Sequence, residues 1–349
     1  MMFISILIMV VLPAVRPDQA ENGIFRDLQS EAVDDGGSAE PFRKTGGANN
    51  AAHDRRENNG RFVGRKPREE MTRAVYDWRA MKTIRILFFL LTAVVSRAQT
   101  AASAVSLADT QQRTLTSAKI GQRYELLVSL PAGYAKSGES YPVLYVLDGW
   151  HFPLMTFIQR NNVYSKRMRP VIIVNVSYGA TDYMALRARD FTPTRTPKEA
   201  NSGGAATFLD FLEHELVPFV DRTWRTMPTD RGILGHSYGG LFAIYALEQR
   251  PALFQRIVAA SPSLEWDGRL LLTAARDRLR RLPTPVRLDL SVGDESDNTA
   301  CTTAFAKILD ELKPAGLDYR FTVYRGENHN SVRLVSFPAG LYWAYRPAK

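Results

Sequence analysis

Apolar residues gather into short blocks along the second two-thirds of this chain, and the blocks differ in period. Residues 143–147 and 171–177 are nearly continuous apolar runs, and 231–234 and 257–260 are shorter ones. Runs of this length predict strands covered on both faces. Residues 124–130 alternate and stop at Pro131, which predicts an early antiparallel strand. Residues 286–292 and 318–324 predict two more strands. Between them the spacing becomes helical: Phe208, Leu212, Leu216 and Phe219 share one face over 205–220, with Asp210, Glu213 and Glu215 on other faces. Residues 241–247 predict a buried helix, 305–312 a helix ended by Pro314 and Gly316, and a last helix starts near Ser331. Strand and helix alternate from residue 111 onward. The expected fold is therefore α/β, a mostly parallel, doubly wound sheet with helices on both faces, in a single domain over 99–349.

The first 98 residues follow no such pattern. After a short apolar run at 1–15, residues 16–80 are polar and rich in Gly, Asn, Asp and Arg, a composition expected to be disordered. At Met81 the text restarts. Lys82 and Arg85 form a basic start, 86–95 is apolar, and Ser96 and Ala98 are small residues placed for cleavage, which is the anatomy of a secretory signal peptide. A signal cannot act from mid-chain, so translation is expected to begin at Met81, with 1–80 a gene-start artefact. The competing expectation is a genuine N-terminal anchor and linker. Cleavage after Ala98 would leave a periplasmic or secreted protein beginning at Gln99. Neither apolar run is long enough to span a bilayer, so no stable membrane insertion is expected after signal removal.

Composition narrows the function classes. With 45% hydrophobic and 23% charged residues, the chain has the make-up of a globular protein. Its formal charge of +9 is spread without Lys/Arg runs interleaved with aromatics, which argues against nucleic acid as a partner. Arg276, Arg278, Arg280 and Arg281 cluster, and a solvated helix face accounts for them. The single cysteine, Cys301, excludes an internal disulfide and is expected to be packed in the core.

The chemistry centres on Gly235-His236-Ser237-Tyr238-Gly239-Gly240, which lies between the predicted strand at 231–234 and the predicted helix at 241–247. A serine on a strand-to-helix turn with small neighbours presents its hydroxyl at the top of a sheet. Such a nucleophile needs a base and a group that orients the base. Of the five histidines, His53 lies in the disordered stretch, His214 on a helix surface, and His236 beside the serine but turned away from it. His151 follows Asp148-Gly149-Trp150 and is placed to line a pocket. His329 lies in the loop after the last strand, where the base of this arrangement is supplied, and is the candidate. The orienting acid should fall between Ser237 and His329. Asp297 is chosen from Gly293-Asp294-Glu295-Ser296-Asp297, with Glu295 as the alternative. The oxyanion hole is expected from the backbone N–H of Tyr238 and of Trp150, with Gly149 as the alternative to Trp150.

Four segments carry a resemblance. Residues 141–149, the Arg187-Ala188-Arg189-Asp190-Phe191-Thr192-Pro193-Thr194 stretch, residues 215–221, and the Ser237 turn occur in an order that resembles the esterase family of α/β-hydrolases. That family holds esterase D, the feruloyl esterases, the antigen 85 acyltransferases and the periplasmic siderophore trilactone esterases. The Arg-Asp-Phe-Thr-Pro segment is most similar to the last group. The resemblance spans about 111–345 and implies Ser237 as nucleophile, His329 as base, and an oxyanion hole at Tyr238 and the 148–150 loop. Ser296 stands where many relatives carry a carboxylate, and some siderophore esterases are thought to act with Ser and His alone.

Arg187 and Arg189 are expected in a loop after the 171–177 strand, as a basic rim for an anionic or catecholate acyl group. The alternative is that one of them pairs with Asp190 to fix that loop. No metal-ligand spacing and no glycine-rich nucleotide motif appears, so neither metal nor cofactor is expected. The expected function is a serine carboxylic-ester hydrolase acting through an acyl-serine on small-molecule esters, siderophore or aromatic acyl. Acyl transfer on the same fold, or a non-catalytic binding protein on this scaffold, are the alternatives.

Overall fold

The computed structural model describes residues 106–179, 182–294 and 296–347, with Lys82, Thr83 and Arg85; of Ser296 and Asp297 it describes the backbone alone. The chain divides into two units, Met1–Ala98 and Gln99–Lys349. In the first, Lys82, Thr83 and Arg85 are helical and exposed. The remainder of the expected signal at 81–98 and all of 1–80 lie outside the described residues. No helix among the described residues is long and apolar enough to cross a membrane.

The second unit carries β1 (Thr110–Thr116), β2 (Arg123–Ser129), β3 (Tyr141–Leu147), β4 (Ile172–Ser177), β5 (Thr226–His236), β6 (Arg256–Ala260), β7 (Arg281–Gly293) and β8 (Ala315–Tyr324). They form one sheet in the order β1-β2-β4-β3-β5-β6-β7-β8. β2 pairs antiparallel with both β1 and β4, and every other pairing is parallel. Every residue of β3 is buried, Tyr145 and Leu147 in one core and Leu144 and Val146 in the other, which is why its sequence is a continuous apolar run. β1 left no such trace. It is an edge strand, mostly exposed, and its Thr-Gln-Gln-Arg-Thr-Leu-Thr sequence is polar, as suits a strand with one unpaired side.

The helices are α1 (Phe152–Tyr164), α2 (Tyr183–Phe191), α3 (Ala205–Phe211), α4 (Val217–Thr223), α5 (Tyr238–Gln249), α6 (Trp266–Arg278), α7 (Ser296–Leu312) and α8 (Val332–Ala344). One face of the sheet is covered by α1 and α8, through Met155, Ile158, Phe337 and Leu341. The other face is covered by Phe208, Phe242 and Phe305 from α3, α5 and α7. A π turn, Leu212–Leu216, joins α3 to α4 just ahead of Pro218. The wider turn accommodates a residue that has no N–H for the carbonyl four positions back.

Two expectations are corrected here. Arg187 and Arg189 lie on helix α2, not in a loop. The buried positions of α2 are Arg187, Ala188, Asp190 and Phe191, and two charged residues facing inward hide the apolar period. Of the four clustered arginines, only Arg276 and Arg278 lie on a helix, α6; Arg281 opens β7.

The order of the sheet fixes where chemistry can occur. From β3 the chain moves to β4 on one side, whereas β5 lies on the other. The crevice outside the carboxyl ends of β3 and β5 is therefore a topological switch point, the usual ligand position in an open parallel sheet. Asp148 leaves β3 there and Ser237 leaves β5 there.

Candidate active site

Ser237 joins β5 to α5 with φ 58° and ψ −121°, a conformation that residues other than glycine avoid. It costs about 1–3 kcal/mol and persists only where the surroundings impose it. Here they do. The Ser237 N–H donates to the Ala260 carbonyl at 3.1 Å, and its own carbonyl accepts from Ser263 N at 3.2 Å and Leu241 N at 2.8 Å. The flanking glycines are required by close approach. A Cβ on Gly235 would lie 2.2 Å from the Gly239 backbone, and one on Gly240 would lie 3.0 Å from Pro262. The Ser237 Oγ is 3.4 Å from the Ser263 hydroxyl. Ser237 is one of three such turns: Asp148 after β3 (φ 68°) and Ser261 after β6 (φ 38°) also hold positive φ.

His329 lies in the loop between β8 and α8, and its ring centroid is 4.5 Å from that of His236. Burial, then the charges of Arg187 and Arg333, lower its pKa below the usual 6.5. A neutral imidazole is the form a general base needs. The Nδ1 atom of His329 is 3.0 Å from the side-chain amide of Asn298, which also donates to the Ser261 carbonyl at 3.3 Å. Asn298 was not singled out from the sequence, since an amide is not an obvious member of such a set. The side chains of Asp297 and of its alternative, Glu295, lie outside the described residues. The backbone of Asp297 is in the first turn of α7, one residue before Asn298.

The loop after β3 is held by a buried ion pair. Arg187 Nε donates to Asp148 Oδ1 at 2.8 Å, and Tyr183 OH donates to the same oxygen at 2.6 Å. Arg187 Nη2 also donates to the His236 carbonyl at 3.0 Å. Arg187 is thus engaged between the β3 loop and the end of β5, and its guanidinium lies 5.2 Å from the Tyr238 ring and 5.9 Å from the Trp150 ring. Arg189 pairs with Asp190 at 2.7 Å, the loop-fixing alternative, although on a helix. Tyr238 opens α5, so its N–H is one of the helix-start donors without an intrahelical acceptor. Trp150 sits in a 3₁₀ turn, Gly149–His151, directly after Asp148. Its side chain is half exposed, packs with its ring centroid 4.3 Å from that of Tyr183 at a tilt of 40°, and donates through Nε1 to His151 Nε2 at 3.1 Å.

The remaining candidates fall elsewhere. His151 is buried against Phe337 rather than open to a pocket, and burial lowers its pKa to about 4. His214 is exposed beside Asp210 and Glu213, a grouping with the reach to hold a cation. Those carboxylates already pair with Lys119 and Arg250. Cys301 is buried. A cavity of about 500 Å³ lined by Arg256, Arg287 and Asp318 lies at the amino ends of β6 to β8, the opposite end of the sheet from Ser237.

The chain is similar to known proteins in sequence and in fold. The model of the Putative esterase family matches residues 117–332. Ferri-bacillibactin esterase BesA of Bacillus subtilis (strain 168) is 28% identical over 268 residues, covering 70% of this chain and 92% of the relative. The siderophore enterobactin esterase of Emericella nidulans is 32% identical over 174 residues, covering 44% and 57%. Among solved structures, an IroE-like serine hydrolase from Shewanella oneidensis superposes with a TM-score of 0.61 at 30% identity, covering 67% of this chain and 79% of that one. The BES protein from Bacillus cereus gives 0.65 at 26% identity, covering 71% and 99%. With the family match spanning well over half of its residues, the chain belongs to the Putative esterase family and has the α/β-hydrolase fold.

Proposed function

We propose that this protein is a serine carboxylic-ester hydrolase acting on siderophore or other aromatic acyl esters, with Ser237 as nucleophile and His329 as general base. The observation that carries the reading is the strained Ser237 turn at the switch point, directly before the helix that Tyr238 opens. His329 takes the Ser237 Oγ proton as Oγ bonds to the ester carbonyl carbon. The resulting oxyanion accepts hydrogen bonds from the Tyr238 and Trp150 N–H groups. Collapse expels the alcohol, which leaves with the proton held by His329, and the acyl group remains on Ser237. Water then gives a proton to His329 and its oxygen to the acyl carbon, and release of the acid returns the proton to Ser237. Asp297 is assigned as the carboxylate that orients His329.

The ligand class is inferred from relatives and surroundings. The relatives named above include esterases of ferri-bacillibactin and enterobactin. Trp150 against Tyr183, and Tyr238 against Trp266 at 5.3 Å, supply aromatic surfaces beside Ser237. Arg187 acts on substrate through this frame, by its position against the Trp150 and Tyr238 rings, whereas Arg189 is paired with Asp190. The signal-like segment at 81–98 supports export to the periplasm or beyond, and sequencing the amino terminus of the exported protein should return Gln99.

The test is hydrolysis of p-nitrophenyl short-chain esters alongside triscatecholate trilactones and feruloyl esters. Activity is expected in the wild type and lost in Ser237→Ala, together with labelling by a fluorophosphonate. Turnover that survives in Ser237→Ala would overturn the assignment.

A further inference from the structure

We propose that His236 is a positioning residue that sets the place of the base relative to the nucleophile, by donating its Nε2–H to the main-chain carbonyl of His329. The inference rests on the roles given to Ser237 and His329 above. His236 Nε2 lies 2.6 Å from the His329 carbonyl oxygen. A carbonyl only accepts, so the Nε2 atom carries the proton and the tautomer is fixed. His236 is buried, and burial keeps its pKa well below the usual 6.5, so the ring stays neutral beside His329.

Three attachments meet at this residue. Its peptide bond leads directly to Ser237. Its carbonyl accepts from Arg187 Nη2 at 3.0 Å, which ties it to Asp148 and the loop that carries Trp150. Its ring reaches the loop that carries His329, which is 93 residues away in the chain. The nucleophile, the oxyanion loop and the base loop come from three separate connections of the sheet; His236 adjoins the first, reaches the second through Arg187 and touches the third. The His329 loop itself is short of regular structure: Asn330 N and Ser331 N bond to the Asn328 side chain, and Gly326 N to the Asp294 carboxylate. A ring anchored in β5 gives that loop a fixed point on the rigid sheet. Displacing a reacting group by about 1 Å is enough to lose on the order of 10²-fold in rate.

The variants are His236→Phe, which keeps the ring volume without the donor, and His236→Gln, whose amide N–H can replace Nε2–H. In the full-length protein, His236→Phe is expected to lower kcat by about 10- to 100-fold with KM within about twofold, and His236→Gln to recover most of kcat. Amide hydrogen exchange in residues 326–331 is measured in parallel, and should quicken in His236→Phe but not in His236→Gln. That second readout needs no turnover, so it stands even if no ester is hydrolysed, which would count against the proposed function alone. Unchanged exchange in His236→Phe, or equal loss of kcat in both variants, would overturn the positioning role.

Discussion

Arg187 and Asp148 meet at 2.8 Å with both side chains out of solvent. The pair joins α2 to the loop after β3, and through the His236 carbonyl it reaches the end of β5. Tyr183 adds a second donor to the carboxylate. Removing one member of such a buried pair leaves a charge without its partner, typically at a cost of about 3–5 kcal/mol. Arg187→Ala should therefore lower the urea midpoint strongly and reduce kcat. If Arg187 acted only by touching substrate, KM alone would rise and the midpoint would stay in place.

Arg189 gives the contrasting case. Its partner Asp190 keeps the Tyr124 hydroxyl at 2.7 Å when the arginine is gone, and Arg189 is partly exposed. Because Asp190 is buried, Arg189→Ala leaves a carboxylate out of solvent without its cation and should lower the urea midpoint, though less than Arg187→Ala does. A rise in KM for anionic esters in this variant, without loss of stability, would assign Arg189 to substrate contact.

The pH dependence follows from the proposed role of His329 as base. The base must be neutral, and burial with the charges of Arg187 and Arg333 lowers its pKa below 6.5. Activity should therefore persist at pH values where an ordinary imidazole is protonated, and fall only as pH drops further. In Arg333→Gln one of the opposing charges is lost, so the acid limb of kcat/KM should move to higher pH. A limb that stays in place or moves down would contradict this account.

The orienting group can be separated by two substitutions. Asp297→Asn should lower kcat by about 10³- to 10⁴-fold if that carboxylate holds the imidazole in the productive tautomer. Asn298→Ala, which removes the amide 3.0 Å from Nδ1, should cost about tenfold through lost positioning alone. The reverse order of effects would transfer the role from Asp297 to Asn298.

Steric necessity at the serine turn is also testable. Gly235→Ala would place a methyl group 2.2 Å from backbone atoms of Gly239. Neither segment can yield without breaking the turn, so the variant should be recovered largely unfolded, as read by circular dichroism and solubility.

What could be read from the sequence divides along a physical line. The strands of the sheet centre declared themselves because both faces are buried, as in β3 and β4. The Ser237 turn did so because glycines must flank it, and the place of His329 in the loop after the last strand followed from the count of strands. The pairing of Arg187 with Asp148 spans 39 residues, and the contact of His236 with His329 spans 93. Such contacts leave no local period. β1 and α2 were missed for a related reason: one is polar at the sheet edge, and the other turns charged residues inward.

The three positive-φ residues that end β3, β5 and β6 have a consequence for protein engineering. Each is a position where glycine would relieve backbone strain, so a search for hardier variants will be drawn to Asp148, Ser237 and Ser261. The first two carry side chains that belong to the proposed site. Gains in heat tolerance harvested there would be taken from the catalyst, and stabilising changes belong on the far face of the molecule.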